Sequence, residues 1–490
     1  MSGTAAGAHA TADRYAEALG VGAGAELLEF DLTGFDRTGL PVTGTVWRPH
    51  PGAATSGHGV GYGADPAAAR RGAHGELAEQ VLLDRHLRTL APVEATFADL
   101  LAARGPGGVV DPVELVLPAG SRYSPDLPLR WLPMRRWRTG EEVLVPAEFV
   151  APHAGGVRGG PPGGGFLTTP ITNGMGAGDT LERAVAHGIG ELLQRDGDTV
   201  SFRALEQGVL VDGVAEHPAT ADVWAALVAA GLEPQVKLDS TEFAVVVHAV
   251  ARDTAPERTP MAVTAVGEAA ALDAASAARK ALLELASSRA RRAFAFGPLD
   301  PVRTRLGPYW AAEERAPLPE SEPRALAATA DWTHRSGTEL ARLVEPMLRV
   351  ASHVGLHGLP TAPEREPGEE LTELLARLAA FDVLVHAVAV QTSRGPVHVA
   401  KVAVPGLEVE TLSYHRIGER VLRRLLERGS PLVGLGEPAG PRRPVLLTAA
   451  ARERVGGPAW FDTEAADATV GELYPLYREP VRHAPQRLGR

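Results

Sequence analysis

The sequence predicts an α+β domain built on antiparallel sheet, with long helices that carry acidic faces. Three observations predict it. Strand-like apolar runs come in neighbouring pairs, at residues 244–250 with 261–266 and 383–390 with 397–404. Long helical patterns with legible caps alternate with those pairs. A chain of 490 residues, 44% hydrophobic and 22% charged, supplies a substantial core and excludes a disordered chain or a mini-scaffold.

Taken in order, residues 11–28 read as a short amphipathic helix, and 30–49 alternates apolar and polar positions around turn residues, as strands do. The glycine-rich run 57–63 reads as a turn. Asp65-Pro66 then supplies an N-cap and the residue best tolerated at the first helical position, opening a helix to about Leu87. Residues 141–150 read as a strand. The run PHAGGVRGGPPGGG, 152–165, reads as a mobile loop, because ordering its glycines costs too much backbone entropy. Asp179 with Glu182 forms a capping-box pattern ahead of a helix whose Leu181, Ala184, Val185, Ile189, Leu192 and Leu193 make one apolar stripe. A third such helix opens at Asp273. A further helix is expected near 414–426, and the Pro-rich acidic stretches 316–323 and 361–370 read as surface connections.

Composition narrows the function classes. Sixty acidic against 49 basic residues give a formal charge of −11, and Lys237, Lys280 and Lys401 are the only lysines, so no basic stripe tracks a nucleic-acid backbone. Without cysteine there is no disulfide framework, thiolate zinc site or thiol nucleophile. The first ten residues lack a signal-peptide pattern and no run of 18 apolar residues occurs, so a cytoplasmic protein with no membrane partner is expected. The glycine-rich runs lack G-K-[ST], which removes a P-loop, and no serine sits in a glycine elbow. His58, His74 and His153 lack ligand spacing and read as surface histidines. Trp131 and Trp137, with Arg135 and Arg136, read as a core edge or a peptide-facing cluster.

The three capped helices share one further feature. Each places a Glu-Leu pair at a similar depth, with Glu76, Glu191 and Glu284 eleven, twelve and eleven positions after Asp65, Asp179 and Asp273. On the second helix His187, Glu191, Gln194 and Arg195 line one face, and Glu76 and Glu79 are one turn apart on the first. If these faces converge, several carboxylates gather at one point and require a cation or protons; magnesium is the natural solution.

In this order the three stretches resemble the signature regions of the YcaO family of ATP-dependent peptide-modifying enzymes. Asn173-Gly174 with Ala177-Gly178, then His187-Gly188, Glu191 and Arg195-Asp196, is similar to the family's most distinctive segment. Thr38-Gly39, Pro41-Val42 and Arg48-Pro49 through Glu76 and Glu79 follow its first region; Glu284 and Arg289 follow its third, and Pro405-Gly406-Leu407-Glu408 resembles a further element. The resemblance covers about residues 30–430. It implies an α+β core that binds ATP and Mg2+ and activates a backbone amide of a ribosomal precursor peptide by phosphorylating its oxygen. The implied product is an azoline from Cys, Ser or Thr, the alternatives being a thioamide, an amidine, or a non-catalytic scaffold. By motif, Glu76, Glu79, Glu191 and Glu284 are the implied metal residues, and His187, Glu191, Arg195 and Arg289 the implied ATP contacts. A leader-peptide-binding partner protein is implied as well, and homodimerisation is compatible with the family.

The chain also departs from that pattern, which implies a partly degenerate nucleotide site. Tyr62 stands where a lysine is common, Gly72 for a serine, Gln80 for an arginine, Gln194 for a second carboxylate and Ser287 for a glutamine. Arg70 or Arg71 is placed to substitute for a lost cation. The expected organisation is an N-terminal helix and strands (1–45), a YcaO-like ATP-binding core (46–430) and a tail without a PxPxP repeat (431–490).

Overall fold

The computed structural model of the protein describes residues 2–53, 55–201 and 203–488. Four helices organise it: α1 (Ser2–Ala18), α2 (Pro66–Leu87), α3 (Leu181–Asp198) and α4 (Ala274–Phe296). The first antiparallel sheet is β1 (Glu26–Asp31), β2 (Val42–Arg48) and β3 (Gly57–Tyr62), in that order. The chain next contributes β4 (Val93–Ala95), β5 (Leu129–Arg136), β6 (Glu142–Pro146) and β7 (Met175–Gly178) to a second sheet. A third is built from β8 (Val209–Asp212), β9 (Leu232–Ser240), β10 (Val245–Asp253), β11 (Gly267–Ala271) and β12 (Ser352–Gly355), ordered β11-β10-β9-β8-β12, with only β8 and β12 parallel. The chain returns to the second sheet with β13 (Leu384–Thr392) and β14 (Gly395–Ala403), giving the order β4-β5-β13-β14-β7 with β6 paired to β5. A small sheet of β15 (Val433–Leu435), β16 (Arg442–Pro444) and β17 (Ala459–Asp462) follows.

One arrangement recurs three times. Strands β3, β7 and β11 are each the edge of their sheet, and each packs on the helix that follows it: α2, α3 and α4. Glycine makes the approach possible. A Cβ built at Gly61 would lie 2.0 Å from the Ala69 carbonyl oxygen, at Gly176 2.1 Å from that of Ala184, and at Gly267 2.1 Å from that of Ala281. Each helix also touches the next sheet, so α2 lies between the first and second sheets, α3 between the second and third, and α4 between the third and first. The apolar faces fill separate cores: Leu77 and Val81 of α2 pack with Val143, Val145 and Val399, and Ala281 and Leu282 of α4 with Val245 and Val247. Among the described residues no helix is long and apolar enough to cross a membrane.

Local signals placed most elements, and the differences have physical causes. The first helix ends at Ala18 rather than reaching Leu28, because Gly20, Gly22 and Gly24 take positive φ (86°, 88° and 115°) before β1 begins. Residues 57–62 form a strand, not a turn; their glycines serve close packing on α2. The 141–150 strand stops at Pro146 and its end coils into a helical turn, Ala147–Val150. The apolar run 261–266 is not a strand. Its first part lies in a 3-10 helix, Pro260–Thr264, that buries Met261 and Val263, and the strand follows at Gly267. The helix expected over 414–426 splits into Thr411–Tyr414 and Glu419–Glu427. The expected connections end at helices that open with Pro323 and Pro367 at their first positions. Trp131 is fully buried beneath the second sheet.

Candidate functional site

Caps set the register of the three helices. Asp65 accepts the Ala68 N–H at 2.9 Å and Asp273 that of Ser276 at 2.8 Å. On α3 the cap is Thr180, accepting from Arg183 N at 3.1 Å, while Asp179 pairs with the Arg183 side chain at 3.0 Å; the cap moves one residue along from Asp179, and with Arg183 at the third position the expected capping box with Glu182 does not form. With that correction Glu76, Glu191 and Glu284 each stand eleven residues after their cap.

This register aims each carboxylate at an edge strand. An edge carries N–H groups that no neighbouring strand accepts, and burying them unpaired is costly. Here the glutamates accept them. Glu76 takes Val60 N–H at 2.7 Å, and Glu191 takes Gly174 N–H at 3.0 Å just before β7. Glu79 takes that of Ala177 and Glu284 that of Glu268. The Tyr62 hydroxyl, from β3, also donates to Glu284 at 2.9 Å, joining α4 to the first sheet.

Burial raises the proton affinity of Glu76, Glu79 and Glu284. Burial pushes Glu79 well above the usual carboxylate range, and Glu191 and Glu76 add to it. Burial also raises Glu76, and carries Glu284 up to about 7 with Glu268 contributing. The His187 imidazole is 64% exposed and 3.9 Å from Glu79, and its pKa is lowered. Among the described residues no three His, Cys, Asp or Glu side chains stand close enough to hold a metal ion by themselves. One or two carboxylates completed by phosphate oxygens and water is the arrangement magnesium takes with nucleotides, and this donor set fits it.

The cations were only partly legible. Arg195 pairs with Glu268 at 2.8 Å and keeps 30% of its side chain exposed; Glu268 also holds Arg203. Arg289, expected as an ATP contact, is committed elsewhere. It is 1% exposed, bidentate to Asp36 at 3.0 Å, and bonded to Asp253 at 2.9 Å and the Ala262 carbonyl. The α4 arginine whose charge reaches Glu76 and Glu284 is Arg291. Arg70 is tied to Glu29 at 2.7 Å and Asp13 at 3.0 Å, so it does not substitute for a lost cation. Lys401 is buried and donates to the Ile171 and Asn173 carbonyls at 2.7 and 2.6 Å, fixing the turn whose Gly174 serves Glu191. Its alternation within β14 pointed to a strand, and nothing local pointed to that turn.

The histidines divide. His74 is fully buried between Glu29 and the Ala12 carbonyl, and His153 pairs with Asp84 at 3.1 Å. His58 is exposed on β3, beside the cluster. The shared Glu408 is also structural: it accepts the Gly418, Arg420 and Val421 N–H groups at 2.7, 2.6 and 3.1 Å and so caps the helix Glu419–Glu427. Asp196 in turn accepts Glu408 N–H at 2.8 Å.

Three helices that bring carboxylates to three sheet edges define an α+β fold around one acidic centre. The profile of the YcaO family, described as YcaO cyclodehydratase, ATP- and Mg2+-binding, matches residues 60–408. The chain belongs to the YcaO family, and ATP and Mg2+ are its cofactors. An uncharacterized protein of Methanothermobacter thermautotrophicus is 30% identical over 264 residues, which span 53% of this chain and 64% of that relative's length. The fold is similar to that of YcaO from Methanopyrus kandleri bound with AMPPCP and Mg2+, with TM-score 0.54 and 20% identity over 81% of this chain and 90% of that one. It is also similar to a heterocyclase in complex with substrate and cofactor, with TM-score 0.54 and 16% identity over 76% of this chain and 48% of that one.

Proposed function

We propose that this chain modifies a ribosomally made precursor peptide by ATP-dependent phosphorylation of a backbone amide oxygen, forming azolines at Cys, Ser or Thr. The observation that carries the reading is the meeting of Glu76, Glu79, Glu191 and Glu284 from three helices. We assign these four to magnesium binding, any one ion being held by one or two of them with phosphate oxygens and water completing its shell, and His187, Glu191 and Arg195 to the nucleotide; Arg289 leaves the assignment. When bound, magnesium with ATP supplies the phosphoryl group and the charge that neutralises the transfer. The residues of the chain supply position. Each carboxylate is fixed by a backbone N–H of a strand or of the turn that leads into one, so little reorganisation remains when ligand enters. Tyr62 holds Glu284 where the family pattern has a lysine, and Arg195, oriented by Glu268, presents a charged donor.

The cyclodehydratase character of the family and the substrate-bound heterocyclase support ring formation over thioamide or amidine formation. A separate leader-peptide-binding protein completes the reading, and residues 46–430 form the nucleotide-binding core. The test is mass spectrometry of the precursor peptide encoded beside the gene, after incubation with the chain, the partner protein and magnesium-ATP. Loss of about 18 Da per site, mapped by fragmentation to Cys, Ser or Thr, is expected. A gain of about 16 Da would instead establish thioamidation, and an unchanged mass with nucleotide bound would establish a scaffold. Glu191→Gln keeps the shape and removes one charge; it is expected to weaken magnesium-nucleotide binding and turnover about tenfold or more.

A further inference from the structure

The carboxylate centre has a cationic wall that the helix motifs do not supply. Along β3 the glycines face α2, so His58, Val60 and Tyr62 face the other way, toward α4. Tyr62 meets Glu284. Four residues back along the strand, about 13 Å, lies His58, and about 10 Å further along α4 lies Arg291. Strand and helix therefore set His58 against Arg291.

The end of the chain enters at this point. Glu479 pairs with Arg291 and, at 2.5 Å, with Arg292. Four residues on, buried His483 inserts among aromatic rings: its ring centre is 5.0 Å from that of Phe294 and 5.6 Å from that of Trp310, and its Nε2 is 2.9 Å from the Tyr309 hydroxyl. Its N–H donates to the Ala295 carbonyl at 2.9 Å. The backbone there is left-handed, φ 61°, a conformation that a non-glycine residue holds only where its surroundings impose it. These two anchors seat the residue between them. The Arg482 guanidinium carbon lies 5.9 Å from the Phe294 ring centre and the group reaches the Tyr309 hydroxyl. Among the described residues Arg482 makes no ion pair, whereas Arg195, Arg289, Arg291 and Arg292 each have a carboxylate. The charges of Arg482 and Arg291 both push the His58 imidazole down, in keeping with the register of strand and helix.

We propose that Arg482, delivered by the anchored C-terminal segment, is a phosphate-binding residue of the nucleotide site and, with Arg291 and His58, forms its anion subsite. The physical need is plain. A polyphosphate brings several negative charges to a centre that already holds several carboxylates, and Tyr62 on β3 and Gln80 on α2 stand where the family pattern has cations. The chain supplies the missing cation from a distant segment, held in place by the Glu479 and His483 anchors.

The inference rests on the nucleotide reading, and calorimetry of the full chain with magnesium-AMPPCP separates the two. The parent is expected to bind. Arg482→Ala is expected to weaken binding about tenfold or more, Arg482→Lys to keep part of the affinity, and adenosine, which lacks phosphates, to bind parent and Arg482→Ala alike. If Arg482→Ala unfolds, Arg482→Gln, which keeps most of the side-chain length, carries the same test. Parent-like affinity for magnesium-AMPPCP in a folded Arg482→Ala, with affinity lost in Glu191→Gln, would overturn the subsite and leave the nucleotide site standing. A parent that does not bind magnesium-AMPPCP would overturn both.

Discussion

His248 lies on β10 between Asp239 at 2.9 Å and Glu206 at 2.7 Å, with 3% of its side chain exposed. Burial alone would lower its pKa, but the two carboxylates overcome it and raise the imidazole to about 10. Across the sheet its neighbours are Lys237 on β9 and Glu268 on β11, the carboxylate that orients Arg195. The folded chain holds this proton up to about pH 10, whereas the unfolded chain releases it near 6.5. Its contribution is therefore whole below about pH 6.5 and lost as pH rises through 10. Chemical denaturation should show the parent losing stability relative to His248→Gln over that window, by up to about 1.4 kcal/mol per pH unit. At pH 6.5 the variant should be less stable by about 3 kcal/mol, because it leaves buried Asp239 without its cation and Glu206 with Lys237 alone, at 3.4 Å. Parallel stability curves for the two proteins would contradict this account.

At the scale of elements, what holds the site open is the close contact between glycine-bearing edges and their helices. Helix α3 offers an internal comparison. A Cβ at Gly188 would lie 2.6 Å from the Gly174 carbonyl oxygen and 2.9 Å from a Val402 methyl, while one at Gly190 meets nothing within 4 Å. Gly188→Ala must push away the turn that donates to Glu191, and is expected to destabilise the protein by about 2 kcal/mol or more. Gly190→Ala only removes backbone freedom from the unfolded chain and is expected to stabilise by about 0.5–1 kcal/mol. The two variants, two residues apart on one helix, should shift the thermal midpoint in opposite directions; shifts of the same sign would refute the packing argument.

At the scale of the molecule, the residues after 430 do more than trail from the core. Phe461 and Val470 pack with Val421, Leu422 and Leu425 of the preceding helix, Trp332 donates to the Glu472 carbonyl at 3.1 Å, and Arg292 of α4 donates to the Pro475 carbonyl at 3.3 Å. Each large apolar side chain exposed by truncation costs about 1.5–3 kcal/mol, so a few equal the whole stability of an ordinary domain. A chain ending at residue 430 should be insoluble or should lose its cooperative melt, measured by soluble yield and circular dichroism. A folded, cooperative truncation would mark 431–490 as dispensable.

The sequence by itself determined what short-range physics encodes: caps at Asp65 and Asp273, the apolar stripe of α3, the β13 and β14 pair, and the motif glutamates on three helices. Those signals depend on residues within a few turns, which is why they survive in one dimension. Whether the three acidic faces met was a question about sheets stacking on helices, and only the tertiary structure decided it, through strand–helix contacts that glycine alone permits. The same holds for charge. Arg289 and Arg291 look alike in sequence, yet one is sealed between Asp36 and Asp253 and the other borders the carboxylates, because neutralisation is settled by whichever partner the fold brings near. Arg482 is nearly two hundred residues from α4 in the chain; only folding, which closes that loop against its entropy, places it beside Phe294.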